Sequence, residues 1–362
     1  MEIKTKIIEE KEIKVFLSSL NKLNEILKNF NFSKTVIVTH QKLWQLYGKK
    51  FPKNILSSNP IFLPEGEQVK SFSHLLSLYK KFSQLKLDRK SVVIIFGGGV
   101  LGDMVGFAGA TFMRGINIVQ IPTTLLAMID SSIGGKTAIN LPFGKNMVGS
   151  FYQPKIIFCD LELTRTLPEE EFHNALGEIL KYAILNKKIF GILDSSEKEI
   201  SYPIKVSKKL NTLVLECIKT KLDIVKKDEK ETLGLREKLN LGHTIAHTIE
   251  TLGEYKSISH GKAVILGLIA ESYISYLVGV LSKNTFLKII HLIDKYTQNI
   301  DFDQYKKLLN KEKILELLKY DKKVQYGKVR FVLPEKIGSV AIKNNVPESI
   351  IKQSLSFLDS WI

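Results

Sequence analysis

The sequence predicts an α/β domain over residues 1–168 followed by a mainly α-helical domain over residues 169–362. Up to about residue 165, short apolar runs alternate with segments of helical periodicity, which is typical of an open sheet covered by helices. After Leu167-Pro168 the strand signals almost vanish and helical patterns dominate. A chain of 362 residues is also long enough for about two domains.

The clearest strand is residues 91–96 (SVVIIF), a continuous apolar run of the kind expected for a parallel strand covered on both faces. The other strands predicted in the first part are 35–39, 60–63 and 117–121, and its predicted helices are 41–49, 71–85 and an amphipathic helix that ends at Phe112. The helices predicted in the second part are 169–185, 204–227, 239–252, 263–281, 285–296 and 311–318, with one strand at 329–333.

The composition is that of an ordinary globular protein, with 44% hydrophobic and 25% charged residues. Cys159 and Cys217 lack a CxxC spacing, so a disulfide scaffold is not expected. The first residues carry charges throughout and lack the apolar core of a signal peptide. The longest apolar run, residues 263–281, is interrupted by Glu271 and predicts a buried helix instead of a membrane span. We therefore expect a cytoplasmic protein with no membrane partner.

The formal net charge is +16 and the pI is about 9.5, which first raises nucleic-acid binding as a hypothesis. The excess is almost entirely lysine, spread over helical faces without a basic cluster interleaved with aromatic residues. A solvated surface is the better interpretation, so no nucleic-acid partner is expected. The positive charge would still attract a small anionic substrate.

A glycine-rich turn directly follows the apolar strand. Gly97, Gly99 and Gly102 satisfy the pattern G-x-G-x-x-G between a strand and a helix, where glycines let backbone amides approach a pyrophosphate. A tight strand-to-helix turn without a ligand is the structural alternative. The acidic residue that usually binds the ribose is absent, since the next strand ends at Thr123-Thr124. The pattern therefore predicts a nucleotide site that differs from the simplest dinucleotide fold.

Two further glycine-rich stretches, residues 130–140 and 142–146, are predicted as loops that line a pocket. They carry Lys136, Lys145 and Asn146, which suit phosphate recognition. Isolated lysines in such a stretch more often belong to an ordinary surface loop.

The spacing of three histidines predicts a metal site. His243 and His247 stand one helical turn apart, so both rings project from one face if the segment is helical, a spacing used by metal ligands. A pair of core or surface histidines is the alternative for this spacing alone. His260 follows a turn, and a returning helix would bring it beside the pair. Two histidines with one carboxylate form a usual zinc site that keeps one position open.

Glu178 is the predicted carboxylate. It lies on a helical pattern that also contains Gly177 and Lys181, and a glycine inside a helix often has a packing or functional reason. A structural ion pair between Glu178 and Lys181 is the alternative. A metal site with two histidines requires a carboxylate as third ligand, and this favours Glu178 as a metal ligand.

Together, these motifs resemble those of the 3-dehydroquinate synthase family of sugar-phosphate cyclases. The resemblance runs over residues 64–334 and is carried by the block 98–146, the helix Gly177-Glu178-x-x-Lys181 and the motif Leu239-Asn240-x-Gly-His243-x-x-x-His247. It implies an NAD-binding, Rossmann-like α/β domain and a mainly α-helical metal-binding domain, with the active site between them. It also implies a homodimer.

The resemblance implies specific roles for residues of this chain. The metal, Zn²⁺ or Co²⁺, would be bound by Glu178, His243 and His260, with His247 in the substrate pocket instead. The implied NAD contacts are Glu67, Lys70, Gly98, Gly99, Val100, Gly102, Asp103, Thr123, Thr124, Lys136, Lys145 and Thr166. The implied catalytic and substrate residues are Asp130, Lys136, Asn146, Lys181, Lys221, Arg236, Asn240, His247, one of Lys322 and Lys323, and Arg114 from the neighbouring subunit.

The chain departs from the family's pattern at two places. His40 stands where the family often has an aspartate for the adenosine ribose. Between Lys221 and Arg236 the chain has one residue more than the usual spacing. These departures affect the ribose contact and the register of Lys221.

The implied reaction converts 3-deoxy-D-arabino-heptulosonate 7-phosphate to 3-dehydroquinate and phosphate without net use of NAD+. The alternatives are a related cyclase with another sugar phosphate, a glycerol-type dehydrogenase with net NAD turnover, and a basic nucleic-acid-binding protein with structural zinc. The last would need a fourth ligand, and both cysteines are far from the histidines in sequence.

Overall fold

The computed structural model describes residues 13–52, 55, 59–195, 199–320 and 329–362. The chain divides into two compact units, Met1–Thr164 and Arg165–Ile362. The domain boundary after residue 168 stays a prediction. Lys322 and Lys323, one of which is a predicted substrate contact, lie outside the described residues.

A parallel sheet of six strands forms the centre of the first unit. The strands of this unit are β1 (Lys14–Leu17), β2 (Thr35–Thr39), β3 (Ile61–Phe62), β4 (Val92–Gly97), β5 (Asn117–Pro122), β6 (Lys136–Leu141), β7 (Gly144–Phe151) and β8 (Ile156–Cys159). The sheet has the order β1-β8-β5-β4-β2-β3, and all its neighbours pair in parallel. Every residue of β4 is buried, as its apolar run predicts. Strands β1 and β8 were not predicted from the sequence, because each has only four residues and no polar alternation.

The helices of this unit follow the strands as the alternating pattern predicts. They are α1 (Leu23–Lys28), α2 (Gln41–Tyr47), α3 (Phe72–Gln84) and α4 (Gly99–Thr111). The prediction that α4 is amphipathic was wrong. Its residues are buried along most of its length, because α4 packs against β4, β5 and β6 at once.

The segment after β5 also differs from its prediction. Residues 130–140 and 142–146 are predicted as loops, but β6 and β7 pair there as an antiparallel hairpin, with a short π-helical turn, Ala127–Ser131, before it. The hairpin was missed because β7 alternates between exposed and half-buried residues and contains glycines instead of an apolar run. Asp130 lies in the π-helical turn, and Lys136 is the first residue of β6.

The second unit is mostly helical. Its elements are α5 (Glu169–Leu185), α6 (Lys187–Asp194), α7 (Lys208–Lys227), α8 (His243–Leu252), α9 (His260–Leu277), α10 (Lys283–Thr297), α11 (Lys311–Tyr320), β9 (Arg330–Lys336), β10 (Ser339–Asn344) and α12 (Glu348–Trp361). The helix predicted from residue 239 begins at His243, because Gly242 adopts a left-handed φ of 80° that interrupts it. Elements α6, β10 and α12 were not predicted from the sequence. In the described ranges, none of the helices combines the length and apolar character needed to cross a membrane.

Helix α9 organises the second unit. Most of its residues are buried, since it packs against α5, α8, α10 and α12. Its sequence is therefore apolar on all sides, which explains why residues 263–281 resemble a long apolar run. His260 is the first residue of this helix.

Candidate functional site

Three side chains from three helices of the second unit form a cluster with metal-ligand character. Glu178 lies on α5, His243 begins α8 and His260 begins α9. One ligand atom from each lies within 4.8 Å of the other two. The Nε2 atoms of His243 and His260 lie 3.2 Å and 3.3 Å from Glu178 Oε1. Two donors of a tetrahedral zinc site are separated by about 3.3–3.5 Å, so the two distances from Glu178 to the histidines are close to those between ligands of one ion.

Close helix crossings bring Glu178 and His260 together. A Cβ atom at Gly177 of α5 would overlap the carbonyl oxygen of Gly261, and one at Gly261 would overlap the backbone of Asn174. Glu178 and His260 are the direct neighbours of these two glycines. Gly177 therefore allows α5 and α9 to pack closely, and this close packing brings Glu178 next to His260.

A second crossing of the same kind fixes His243. A Cβ at Gly267 of α9 would overlap the carbonyl oxygen of Gly242, the residue before His243. The buried carboxylate of Glu271, also on α9, accepts the backbone N–H groups of Gly242, Thr244 and Ile245 over 2.7, 2.9 and 3.1 Å. It thus caps the first turn of α8, where Gly242 has no side chain to do so.

The two histidines of the cluster are oriented by contacts on their other ring nitrogens. His243 Nδ1 lies 3.0 Å from the carbonyl oxygen of Leu241, and His260 Nδ1 lies 3.1 Å from Glu250 Oε1. Both Nε2 atoms consequently face Glu178. This arrangement, with each ligating histidine bound through its second nitrogen to a carbonyl or carboxylate, is typical of metal sites.

Glu250 and Glu271 support this cluster from outside, and neither role was predicted from the sequence. Glu250 follows His243 and His247 at helical spacing, so the signal for it was present on the predicted helix. Glu271 carried a weaker signal, an acidic residue inside an apolar run. Neither position in the sequence indicates its partner, because Glu250 bonds to His260 on the next helix and Glu271 bonds to the backbone at the start of α8.

The side chains of the cluster shift one another's pKa values, and Lys181 contributes to these shifts. Burial alone would raise the pKa of Glu178, but the ammonium of Lys181 and hydrogen bonds from both histidines hold that pKa well below its ordinary value. Burial lowers the pKa of His243. Burial also disfavours a charged His260, yet its hydrogen bonds to Glu178 and Glu250 raise its pKa to about 10. The two ring nitrogens of His260 thus face two different carboxylates, Glu178 at Nε2 and Glu250 at Nδ1.

His247 lies beside the cluster without belonging to it. Its ring centroid is 5.5 Å from that of His243, in an edge-to-face arrangement. Within the described residues, the group with metal-ligand spacing consists of Glu178, His243 and His260, and it does not include His247. The expectation from spacing alone, that both His243 and His247 bind the metal, is thus not supported by the positions of their ring nitrogens.

The second unit also contains buried cations. Lys181, Lys221 and Arg236 are 2%, 5% and 3% exposed, and lysine and arginine are almost never buried to this degree without a polar partner. Asn240 is half-buried at the end of a short 3-10 helix, Leu235–Asn240.

The loop before Arg236 is held by one carboxylate. Asp228 accepts the backbone N–H groups of Leu233, Leu235 and Arg236 over 2.9 to 3.2 Å. The guanidinium of Arg236 contacts Glu231 Oε1 at 3.2 Å and the carbonyl oxygen of Glu229 at 2.8 Å. The segment with the extra residue is therefore a folded loop that fixes Arg236.

In the first unit, the glycine-rich turn leads from β4 into the N-terminus of α4, as predicted. A Cβ at Gly99 would lie 2.7 Å from Ser131 Oγ, and one at Gly98 would lie 3.2 Å from Thr124. The Ser131 hydroxyl is buried without a hydrogen-bond partner among the described residues. A narrow turn with a free hydroxyl beside a helix N-terminus is suited to a pyrophosphate.

Several other predicted residues meet near α4. Lys70 Nζ donates to Asp103 Oδ2 over 2.8 Å and to Asn146 Oδ1, and it lies 3.6 Å from Glu67 Oε1. Among the remaining predicted residues, Thr123 is buried, Val100, Thr124 and Asp130 are half-buried, and Arg114, Lys136, Lys145 and Thr166 are exposed. Gly102 packs against Gln120.

Comparisons with known proteins agree with these features. The family model of the N-terminal part of 3-dehydroquinate synthase matches residues 60–174, and that of its C-terminal part matches residues 175–324. The 3-dehydroquinate synthase of Nostoc punctiforme is 38% identical over 356 residues, which cover 95% of each chain.

Solved structures share the fold at lower identity. The 2-epi-5-epi-valiolone synthase ValA of Streptomyces hygroscopicus subsp. jinggangensis, solved with NAD+ and Zn²⁺, superposes with a TM-score of 0.82 at 20% identity and full coverage of both chains. A 2-deoxy-scyllo-inosose synthase, solved with carbaglucose-6-phosphate, NAD+ and Co²⁺, has a TM-score of 0.77 at 22% identity over 95% of each chain. The family models and the close relative together show that this chain belongs to the 3-dehydroquinate synthase family.

Proposed function

We propose that this chain carries out the reaction of its family with NAD+ as a catalytic cofactor and a divalent metal ion on Glu178, His243 and His260. The activity is that of a 3-dehydroquinate synthase, the second step of the shikimate pathway. It converts 3-deoxy-D-arabino-heptulosonate 7-phosphate to 3-dehydroquinate and phosphate. The steps are transient oxidation at C5, phosphate elimination, re-reduction and an intramolecular aldol closure.

The cluster of Glu178, His243 and His260 is the observation that carries the proposal. Its donor set of one carboxylate and two imidazoles, each imidazole bound through Nδ1, fits Zn²⁺ or Co²⁺ and leaves room for substrate oxygens. A divalent ion there would acidify a substrate hydroxyl as a Lewis acid. His260 would keep its Nδ1–H for Glu250 while its Nε2 faces the ion.

The glycine-rich turn and its neighbours are proposed to hold NAD+. The N-terminus of α4, with Gly98, Gly99 and the Ser131 hydroxyl, would receive the pyrophosphate. NAD+ would accept a hydride from the substrate and return it. The further proposed contacts are Glu67, Lys70, Val100, Gly102, Asp103, Thr123, Thr124, Lys136, Lys145 and Thr166.

The anionic substrate is proposed to be recognised by cations and amides. Arg236 would bind the carboxylate, because its planar guanidinium matches that group and its loop fixes its position. Lys136, Asn146, Lys181 and His247 would bind the phosphate oxygens and stabilise charge as the phosphate leaves. The departing phosphate itself can take the neighbouring C6 proton. Asp130, Lys221, Asn240 and, from a partner subunit, Arg114 complete the proposed set.

We expect the Glu250→Gln substitution to weaken metal binding by roughly 10–100-fold, since residues that orient a metal ligand typically contribute this much. The amide would no longer give His260 Nδ1 a charged acceptor. A competition titration with a chelator measures the affinity, and Glu254→Gln, in the exposed turn after α8, is the control. Equal metal affinity in Glu250→Gln and the unsubstituted protein would refute the orienting role.

We expect Arg236→Lys to raise KM for the heptulosonate phosphate roughly 10-fold or more while kcat changes little, because a bidentate donor is replaced by a point charge. Arg330→Lys, which changes the arginine paired with Glu237, provides a matched control. Steady-state kinetics separate the two constants. An unchanged KM in Arg236→Lys would exclude Arg236 as the carboxylate partner.

The function is tested by following phosphate release and NADH absorbance together, with the heptulosonate phosphate, Zn²⁺ and NAD+. We expect phosphate release without NADH accumulation, and loss of the signal with a chelator. Steady NADH accumulation without phosphate release would contradict the cyclase reaction and point to a dehydrogenase. Release that persists after complete metal removal would contradict the metal site.

The proposal includes a cytoplasmic homodimer. Arg114, exposed in the described chain, is assigned to the phosphate pocket of the neighbouring subunit. Light scattering of the purified protein should give twice the chain mass of 41.1 kDa. A monomer that is fully active would contradict this part of the proposal.

A further inference from the structure

A closed network of polar contacts in the first unit joins the segment before α3 to the β6–β7 hairpin. Asn140 lies where the pairing register of this hairpin shifts. Its backbone N–H donates to the carbonyl oxygen of Lys70 over 2.8 Å. Its side-chain Nδ2 donates to Glu67 Oε1 over 2.7 Å, and its Oδ1 accepts the backbone N–H of Asn146 over 2.8 Å. Both ends of this amide are therefore engaged by different segments of the chain.

Lys70 closes the network. Its side chain is 3% exposed, and its Nζ donates to Asn146 Oδ1 and lies 3.6 Å from the same Glu67 oxygen that Asn140 contacts. Asn146 is thus held by its backbone N–H and by its side-chain oxygen, at a left-handed φ of 55°. Both groups that hold Asn146 also contact Glu67. Asn140 thus holds the backbone of Asn146, and Asn146 Oδ1 cannot turn toward a ligand unless Lys70 gives up its hydrogen bond.

We propose that Asn140 is a positioning residue that couples nucleotide binding to the orientation of Asn146. The inference rests on the proposed function, in which Glu67 and Lys70 contact NAD+ and Asn146 contacts the substrate phosphate. A nucleotide that draws on Glu67 or Lys70 changes the hydrogen bonds available to Asn140, and these fix the backbone of Asn146. By thermodynamic linkage, a phosphate that binds Asn146 must then change the affinity for NAD+ by the same factor.

The coupling is measured with NAD+ and inorganic phosphate on the Zn²⁺-loaded protein. Calorimetry gives the Kd of NAD+ with and without saturating phosphate. In the unsubstituted protein we expect phosphate to tighten NAD+ binding roughly 5-fold or more, the lower end of typical coupling between sites. The ratio of the Kd of NAD+ without phosphate to that with phosphate should fall to about one in Asn140→Ala. Asn117→Ala removes another amide, which donates to the carbonyl oxygen of Ser91 outside the network, and should leave the ratio unchanged.

Asn140→Asp is a second variant that keeps the side-chain size. It retains an acceptor for the Asn146 N–H but sets a carboxylate against Glu67. Because the two carboxylates repel each other, we expect weaker NAD+ binding and a smaller effect of phosphate on the Kd of NAD+. A ratio retained in both Asn140 variants, or a ratio of one in the unsubstituted protein, would overturn the inference alone. Absence of NAD+ binding to the unsubstituted protein would overturn the proposed function and this inference with it.

Discussion

Replacing Glu178 with glutamine is expected to lower the affinity for a divalent metal by roughly 10²–10⁴-fold and to remove activity with it, as when one partner of a buried charge pair is lost. The amide has the size of the carboxylate but lacks the anionic oxygen that both His243 Nε2 and His260 Nε2 face. The side chain is 1% exposed, so water cannot take over as a ligand without rearrangement. The buried ammonium of Lys181 would also lose the carboxylate with which it pairs.

The measurement is metal content after dialysis, a chelator competition titration and phosphate release for each variant. Glu171→Gln is the matched control, because it makes the same change on the same helix outside the cluster. Circular dichroism and the unfolding midpoint separate loss of metal from loss of fold. Metal bound at the stoichiometry of the unsubstituted protein would show that Glu178 is not a ligand.

The glycine-rich turn of the first unit, which is the proposed nucleotide site, could be predicted because its signals are local. The strand, the glycine-rich turn and α4 are consecutive, so a buried apolar run followed by G-x-G-x-x-G predicts the whole unit. The β6–β7 hairpin could not be found in the same way. Its strands take their place from antiparallel pairing with each other and from packing on α4, while their own residues lack an apolar period.

The metal cluster depends on contacts between distant segments. The spacing of His243 and His247 is local and predicted a helix, yet among the described residues it is His260, and not His247, that has metal-ligand spacing with His243 and Glu178. His260 and Glu178 are 82 residues apart and meet because α5 and α9 cross where both carry glycine. Nothing in the periodicity of either helix shows which helix it crosses. The sequence itself indicated Glu178 and His260 as partners of His243. The family resemblance implied that His260 takes the place of His247, and the helix crossings give the meeting of Glu178 and His260 a physical reason.

Alanine at Gly177 or Gly267 is expected to destabilise the fold by about 1–3 kcal/mol or more and to weaken metal binding in the same variant. Both residues lie inside helices without a positive φ, where alanine would by itself favour the helix by about 1 kcal/mol. The new methyl group would instead overlap a backbone oxygen, that of Gly261 or Gly242. A backbone atom cannot move aside as a side-chain end can, so the helices must separate.

Gly191→Ala provides the matched control, because a Cβ there would meet no atom within 4 Å, and it lies inside α6. It should stabilise the protein by about 0.4–1 kcal/mol. Urea unfolding in the presence of a chelator gives the change in the free energy of unfolding for each variant without the contribution of bound metal. Separation of α5 and α9 at Gly177 displaces Glu178 from His260, and separation of α8 and α9 at Gly267 displaces His243. Both variants should therefore also lose metal affinity, while Gly191→Ala keeps it. Either variant with full stability and full metal affinity would show that the crossings do not set the positions of the ligands.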